Sequence, residues 1–254
     1  MNIKDNFENN GYIKIDNFLS DNNDFIKISE ELHIKLQLKI SKNNLNNLGG
    51  YKIGNINVHA GKYSKKIWEL LIKNNLDDII IKILNKSVKD FGLDHAGNLS
   101  FPGKGSQQFH TDGNFEDTMY LVSVATENIT YASGPTEVIS NLHQSKTPYW
   151  KFILSKKKKE IIPLKKGDIL IRKHCVWHRG TINRSGNSRF LLTYLLHEKS
   201  NKFDNKFDNK FDNSSEIIFY NNFFKSDVKG KIKEFLYVKF GFIFFLYKFM
   251  RSIF

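Results

Sequence analysis

The sequence predicts a mainly β domain, a sandwich or barrel, preceded by helical stretches. Three observations predict it. Residues after Gly92 fall into short runs of β-branched and aromatic residues punctuated by Gly, Pro, Asn and Ser. Helical periodicity is confined to the stretches before them and to the tail. The chain has 254 residues, 40% hydrophobic and 26% charged, which suits one soluble globular core and neither a disordered chain nor a multi-span membrane protein.

Taken in order, Tyr12 to Ile15 reads as a short strand, and Asn17 to Ser20 leads into a helix from about Asn22 to Ile40 that Ser20 or Asp21 can cap. Phe25, Ile28, Leu32, Leu36 and Ile40 share one helical face. An Asn-rich and Gly-containing stretch, Asn43 to Gly54, ends it. A second helical region runs from about Ser64 to Asp90, with Asn74-Asn75 as a candidate interruption. Candidate strands are Leu99 to Phe101, Gln107 to His110, Met119 to Thr126, Thr136 to Ile139, Ile161 to Leu164, Asp168 to Lys173 and Arg189 to Leu196.

Residues Asn201 to Asp212 are three tandem copies of Asn-Lys-Phe-Asp, a period that matches neither a strand nor a solenoid unit and reads as a linker. The tail from Glu216 to Phe254 is basic and aromatic. Its apolar run, Phe240 to Tyr247, is bounded by Lys239 and Lys248 and is far short of the roughly 20 residues that span a bilayer. It reads as a terminal helix on the barrel, or as a peripheral contact with an anionic membrane surface.

The formal net charge of +13 draws anions to the surface without naming them. No nucleic-acid motif accompanies the charge, so nucleic acid is not an expected partner. Cys175 is the single cysteine, which excludes an internal disulfide and fits a reducing compartment. The first twenty residues lack the apolar run of a signal peptide, and a cytoplasmic location is the expectation.

The chemistry centres on Gln107-Gln108-Phe109-His110-Thr111-Asp112-Gly113. On an extended segment, residues two apart point to the same side, so His110 and Asp112 can offer an imidazole and a carboxylate to one point. Alone, this is a weak signal. A third donor can come from His178, at the far end of the apolar strand that Lys166-Gly167-Asp168 introduces. Two His and one carboxylate on one face of an octahedral ion leave three open positions, which suits oxygen-activating Fe(II). Structural zinc favours closed sites rich in Cys, which this chain cannot build. His174 is a rival ligand, and a helical segment would pair it with His178. The strand-like run before it and the absence of Glu at position 175 argue against that arrangement. Arg189, at the start of another apolar strand, is a candidate for bidentate pairing with a carboxylate.

Several of these segments, in the same order, resemble the phytanoyl-CoA dioxygenase family of Fe(II)/2-oxoglutarate oxygenases. The likeness begins at Asn10-Gly11-Tyr12 and Asn17 to Ser20, continues through Gln107 to Gly113, Glu127-Asn128, Gly134 to Ile139 and His143, and ends with Lys166 to Asp168, Trp177 to Gly180, Asn183 to Ser185 and Arg189. The resemblance implies a double-stranded β-helix, a cupin-like jelly roll, with His110, Asp112 and His178 as iron ligands. It also implies Arg189 on the distal carboxylate of 2-oxoglutarate, with Gln107 or Gln108 and Thr181 as weaker pocket candidates. A dioxygenase domain would then fill residues 1–200, with a helical part to about 91 and a jelly-roll core of about 92–197, followed by the 201–213 linker and the helical tail of 214–254. Some relatives that halogenate carry a small residue in place of the carboxylate, so Asp112 favours hydroxylation. Ser140-Asn141-Leu142-His143 departs from the usual Pro-Gly-Ser-His, and the repeat and tail lie outside the likeness.

The implied co-substrates are 2-oxoglutarate and dioxygen, acting on a small organic metabolite or its CoA or other anionic conjugate. Two other readings are a non-redox cupin-like metal protein, and a basic membrane-surface or nucleic-acid binding protein.

Overall fold

Among the described residues, alternation along ten strands builds two antiparallel sheets, and the side chains between them form the interior that carries the candidate site. The computed structural model describes residues 2–198, 216–221 and 224–252; the Asn-Lys-Phe-Asp repeat lies outside them. In chain order the elements are α1 (Ile3–Asn10), β1 (Tyr12–Ile15), α2 (Asn23–Lys42), β2 (Asn55–His59), α3 (Lys62–Lys73), α4 (Leu76–Leu84), β3 (Phe91–Ser100), β4 (Met119–Val124), β5 (Thr136–Ile139), α5 (Tyr149–Leu154), β6 (Lys159–Ile162), β7 (Ile169–Lys173), β8 (Trp177–Gly180), β9 (Arg189–Glu198), β10 (Ile218–Tyr220), α6 (Val228–Lys239) and α7 (Gly241–Arg251).

The larger sheet runs β1-β7-β4-β9-β3-β2-β10 and the smaller runs β6-β5-β8. Because side chains alternate across a strand, each strand of the larger sheet serves two cores. One set, including Val122, Ile169, Ile171, Phe190, Leu192 and Tyr194, packs outward on the buried residues Leu32 and Leu36 of α2, Ile67 and Leu71 of α3, and Ile80 and Ile83 of α4. The opposite set, Leu170 and Leu191, packs inward on Val138 and Ile162 of the smaller sheet. Two facing antiparallel sheets with helices on one outer face constitute the jelly roll expected from the sequence.

Local chemistry accounts for where elements start and stop. Asn22, rather than Ser20 or Asp21, caps α2, its side chain accepting from the Phe25 amide at 3.0 Å. Ser20 instead donates to the Lys166 carbonyl at 2.9 Å, tying the entry of α2 to the turn before β7. The break between α3 and α4 falls at Asn75, whose φ of 65° a regular helix does not allow. The segment 55–59, to which the sequence reading assigns no element, forms β2 because Ile56 and Val58 are both fully buried beside β3. Their alternation with Asn55, Asn57 and His59 is the period-2 pattern of a half-buried strand, too short here to stand out.

The tail closes over the barrel. β10 pairs with β2. In α6, the buried Glu234 carboxylate accepts from the amides of Gly50 and Lys52 at 2.9 and 3.0 Å. Beyond α7, Ser252 Oγ accepts from the Trp150 amide at 2.9 Å. Phe242, Ile243, Leu246 and Met250 remain exposed on its outer side. Among the described residues, no helix is long and apolar enough to cross a membrane.

Asp168 is fully buried and holds the β1 exit to the β7 entry. Its carboxylate accepts from the Asn17 and Lys165 amides, both at 2.8 Å, and pairs with Lys14 at 3.0 Å. Replacing it by Ala strands two backbone donors and a lysine, so Asp168→Ala is expected to cost about 2–4 kcal/mol in urea denaturation. A loss under about 1 kcal/mol would mean that water replaces the carboxylate at those donors.

Candidate metal centre

The site begins with one backbone pair. His110 stands opposite His178 in an antiparallel bridge, each amide donating to the other's carbonyl at 3.0 Å. Directly opposed residues project to the same face, so the two imidazoles lie side by side with ring centroids 4.4 Å apart. Two residues on, the Asp112 amide donates to the His174 carbonyl at 2.9 Å, which returns the Asp112 side chain to the imidazole side. One donor atom from each of His110, Asp112 and His178 falls within 4.8 Å of the other two. The His110 and His178 side chains are 16% and 7% exposed and that of Asp112 is 32%, a gradient from interior to mouth.

Hydrogen bonding orients the rings. His110 Nδ1 lies 2.9 Å from the Gln108 carbonyl and His178 Nδ1 lies 3.0 Å from the Val176 carbonyl. A carbonyl only accepts, so both Nδ1 atoms carry the hydrogen and both Nε2 atoms keep their lone pairs. Those Nε2 atoms face the Asp112 oxygens, at 3.8 Å from Oδ1 for His110 and 3.5 Å from Oδ2 for His178. Burial pushes the pKa of His110 below the usual histidine range and that of His178 well below it, with Arg172 adding to both. Burial alone would raise the Asp112 carboxyl, but Arg172, His178 and His110 hold it far below the usual carboxylate range. Two neutral imidazoles and one carboxylate are the donor states that a divalent transition metal requires, so these residues fit such an ion.

The other sequence candidates separate. Arg189 is 2% exposed at the start of β9 and shares the inward face with Leu191. Its guanidinium donates to the Ser133 and Gly134 carbonyls, and no carboxylate among the described residues lies within ion-pair distance. Burial lowers its pKa to about 10, which leaves it charged at neutral pH. Gln107 is engaged with β8, its side-chain oxygen accepting from the Gly180 amide at 2.8 Å. Gln108 lies beside His110, its amide donating to Tyr237 Oη at 2.8 Å, while its buried Oε1 has no hydrogen-bond partner. The Thr181 hydroxyl is committed to the Pro135 carbonyl at 2.8 Å. His174 stays out of the cluster because its two ring nitrogens contact the Met119 and Asn114 carbonyls.

Sequence reasoning missed Arg172. From β7 its guanidinium reaches Asp112 Oδ2 at 2.6 Å and His178 Nδ1 at 3.4 Å. With Nδ1 donating to Val176, the Asp112 contact is the hydrogen bond and the His178 contact is a close approach. The clue was available: Arg172 shares the inward parity of Leu170 and follows an apolar run, Ile169 to Ile171, in the same strand. Missed also were the tail residues at the site. A cavity of about 470 Å³ opens beside His110, walled by Phe109, Thr111, Tyr149 and Trp177 of the barrel and by Phe244, Tyr247, Lys248, Arg251 and Ser252.

Arg172→Met should raise the Asp112 pKa, since the cation that opposes burial is gone; carboxyl-carbon NMR titration reads this directly. The folded-state pKa of Asp112 is depressed, so its pairing stabilises the fold above the unfolded carboxylate pKa of about 4 and is lost as pH falls. The variant should therefore lose that acid-side dependence. An unmoved Asp112 titration would assign the depression to the histidines alone.

No curated protein matches the chain in sequence. Solved structures share its fold at low identity. The epimerase SnoN, in complex with Fe3+, alpha ketoglutarate and nogalamycin RO, matches with a TM-score of 0.59 at 12% identity over 77% of this chain and 82% of that one. The alpha ketoglutarate dependent carbocyclase SnoK from nogalamycin biosynthesis gives 0.56 at 11% over 76% and 81%. AviO1 from Streptomyces viridochromogenes gives 0.57 at 12% over 78% and 94%. The model of the phytanoyl-CoA dioxygenase family, PhyH, matches residues 7–191, a span that includes His110, Asp112, His178 and Arg189 and ends before β10, α6 and α7. With most of its length covered in this way, the chain belongs to the phytanoyl-CoA dioxygenase family and is an enzyme of the iron- and 2-oxoglutarate-dependent oxygenase superfamily.

Proposed function

We propose that the chain binds Fe(II) through His110, Asp112 and His178, anchors 2-oxoglutarate on Arg189, and uses dioxygen to hydroxylate a small organic molecule. The observation that carries this reading is the convergence of three donor side chains of the right protonation state beside an aromatic-walled cavity. Two imidazoles and a carboxylate cover one side of an octahedral ion and leave room for a chelating oxoacid and dioxygen. When bound, iron with 2-oxoglutarate supplies an oxidant for C–H bonds at the expense of decarboxylating the oxoacid to succinate.

The chain's own residues do the positioning. The carbonyls of Gln108 and Val176 hold the imidazoles in the donor tautomer. Arg172 holds one Asp112 oxygen and leaves Oδ1 turned toward His110. Arg189 is a buried cation that feels the Glu127 carboxylate only beyond ion-pair distance among the described residues, and it suits the distal carboxylate of 2-oxoglutarate. Phe109, Tyr149 and Trp177 limit water beside His110 and offer an apolar surface to the substrate.

Succinate formation with Fe(II) and 2-oxoglutarate should fall to background in His110→Ala and in Asp112→Ala; turnover that survives either change would remove the ligand assignment. Arg189→Lys keeps the charge but loses the planar fork, so its 2-oxoglutarate KM should rise roughly tenfold or more, equivalent to about 1.5–3 kcal/mol. An unchanged KM would free Arg189 from that role. Product mass tests the outcome: gain of an oxygen atom marks hydroxylation, an unchanged mass an epimerisation, and loss of a hydrogen pair a ring closure. Absence of oxygen uptake with both co-substrates would favour a non-redox metal protein on the same barrel.

A further inference from the structure

The C-terminal helices lie outside the family match yet complete the cavity at the metal centre, and they bring a cation with them. Lys248 of α7 lines both the 470 Å³ cavity and a second one of about 200 Å³, and His110 and Phe244 are common to the two. Its ammonium is partly buried, and burial lowers its pKa. Among the described residues no carboxylate lies within ion-pair distance of it; the Tyr149 ring, with its centroid 5.6 Å away, is its recorded contact. Among the described residues a cation without a counter-ion therefore borders a recess walled by Ile53, Phe224, Tyr237 and Phe244. Such a charge is costly to bury unpaired, and an anionic ligand could satisfy it.

The tail is fixed well enough to serve as a wall. Glu234 accepts from two loop amides, Tyr237 Oη accepts from the Gln108 amide, and Ser252 accepts from the Trp150 amide. The first two pin α6 and the third pins the end of α7, on either side of Lys248.

We propose that Lys248 is a substrate-binding residue, and that the prime substrate is an organic anion with an apolar or aromatic body, its carboxylate, sulfonate or phosphate on Lys248 and its body against Phe244, Tyr149 and Trp177. The assignment rests on the iron and 2-oxoglutarate reading for the chemistry, but not for the binding. Arg251 at the rim of the larger cavity adds a second positive charge to the approach.

The full chain can be titrated with 8-anilinonaphthalene-1-sulfonate and with N-phenyl-1-naphthylamine, which share an aromatic body and differ by the sulfonate. Lys248→Met and Lys248→Gln should weaken sulfonate binding about tenfold, as expected for loss of one charge-assisted contact, and Lys248→Arg should restore it. The neutral probe should change less than about twofold. Sulfonate binding that is indifferent to position 248 would overturn the proposal. So would a parallel loss of both probes, because the lysine would then only be packing the helix. Anaerobic absorbance of the Fe(II) and 2-oxoglutarate complex separates the two readings. If that complex forms in the native chain and persists in Lys248→Met, the lysine serves the substrate. If it forms in the native chain and fails in the variant, the lysine holds the co-substrate and the proposal falls. If it never forms, the iron reading fails, and the probe pair still decides whether Lys248 is an anion site.

Discussion

Everything at the candidate metal centre depends on the antiparallel bridge between His110 and His178. The segment before β4 makes little regular structure, and this pair of reciprocal hydrogen bonds sets its register against the smaller sheet. A slip of one residue would turn the imidazole of residue 110 to the opposite face and bring Thr111 in its place. Asp112 would leave the cluster with it, since its position is inherited from the same alternation. Three donors from two distant stretches of chain are thus held by backbone geometry rather than by contacts among themselves.

The interior around that bridge is organised by charge. Arg172 and Arg189 are both nearly inaccessible, and each meets its burial differently. Arg172 is matched by Asp112, which keeps the carboxylate ionised at the cavity mouth. Arg189 is met by backbone carbonyls, with Glu127 as a more distant negative charge and no ion pair among the described residues. A matched cation fixes a neighbouring group, while an unmatched one is available to a ligand anion. The imidazoles beside Arg172 are kept neutral by the same burial, and their backbone partners orient them.

The family match and the cavity divide the chain by task. Residues 7–191 contain the donor cluster and both buried arginines. The tail that follows contributes Phe244, Tyr247 and Lys248 to the space where a substrate would lie. A barrel with a shared reaction centre and a separately anchored wall can keep its chemistry while the wall changes what fits.

The sequence by itself determined the periodicities and therefore the class of fold. Strands at Thr136–Ile139 and Ile169–Lys173 were legible from their apolar and β-branched runs, and the α3–α4 break was legible from Asn74-Asn75. His110, Asp112, His178 and Arg189 could be singled out from residue type, spacing and likeness to a family. β2 was not singled out, because its alternating run has only the two apolar positions Ile56 and Val58 and its strand identity comes from pairing with β3 and β10. Arg172 carried a readable parity, but its bond to Asp112 joins β7 to a loop sixty residues earlier. Lys248 had no local signal at all, for a lysine after an apolar run reads as a solvated helix end. Local pattern reports the environment a residue prefers; which distant residue supplies that environment is decided only when the sheets close and the tail folds back over them.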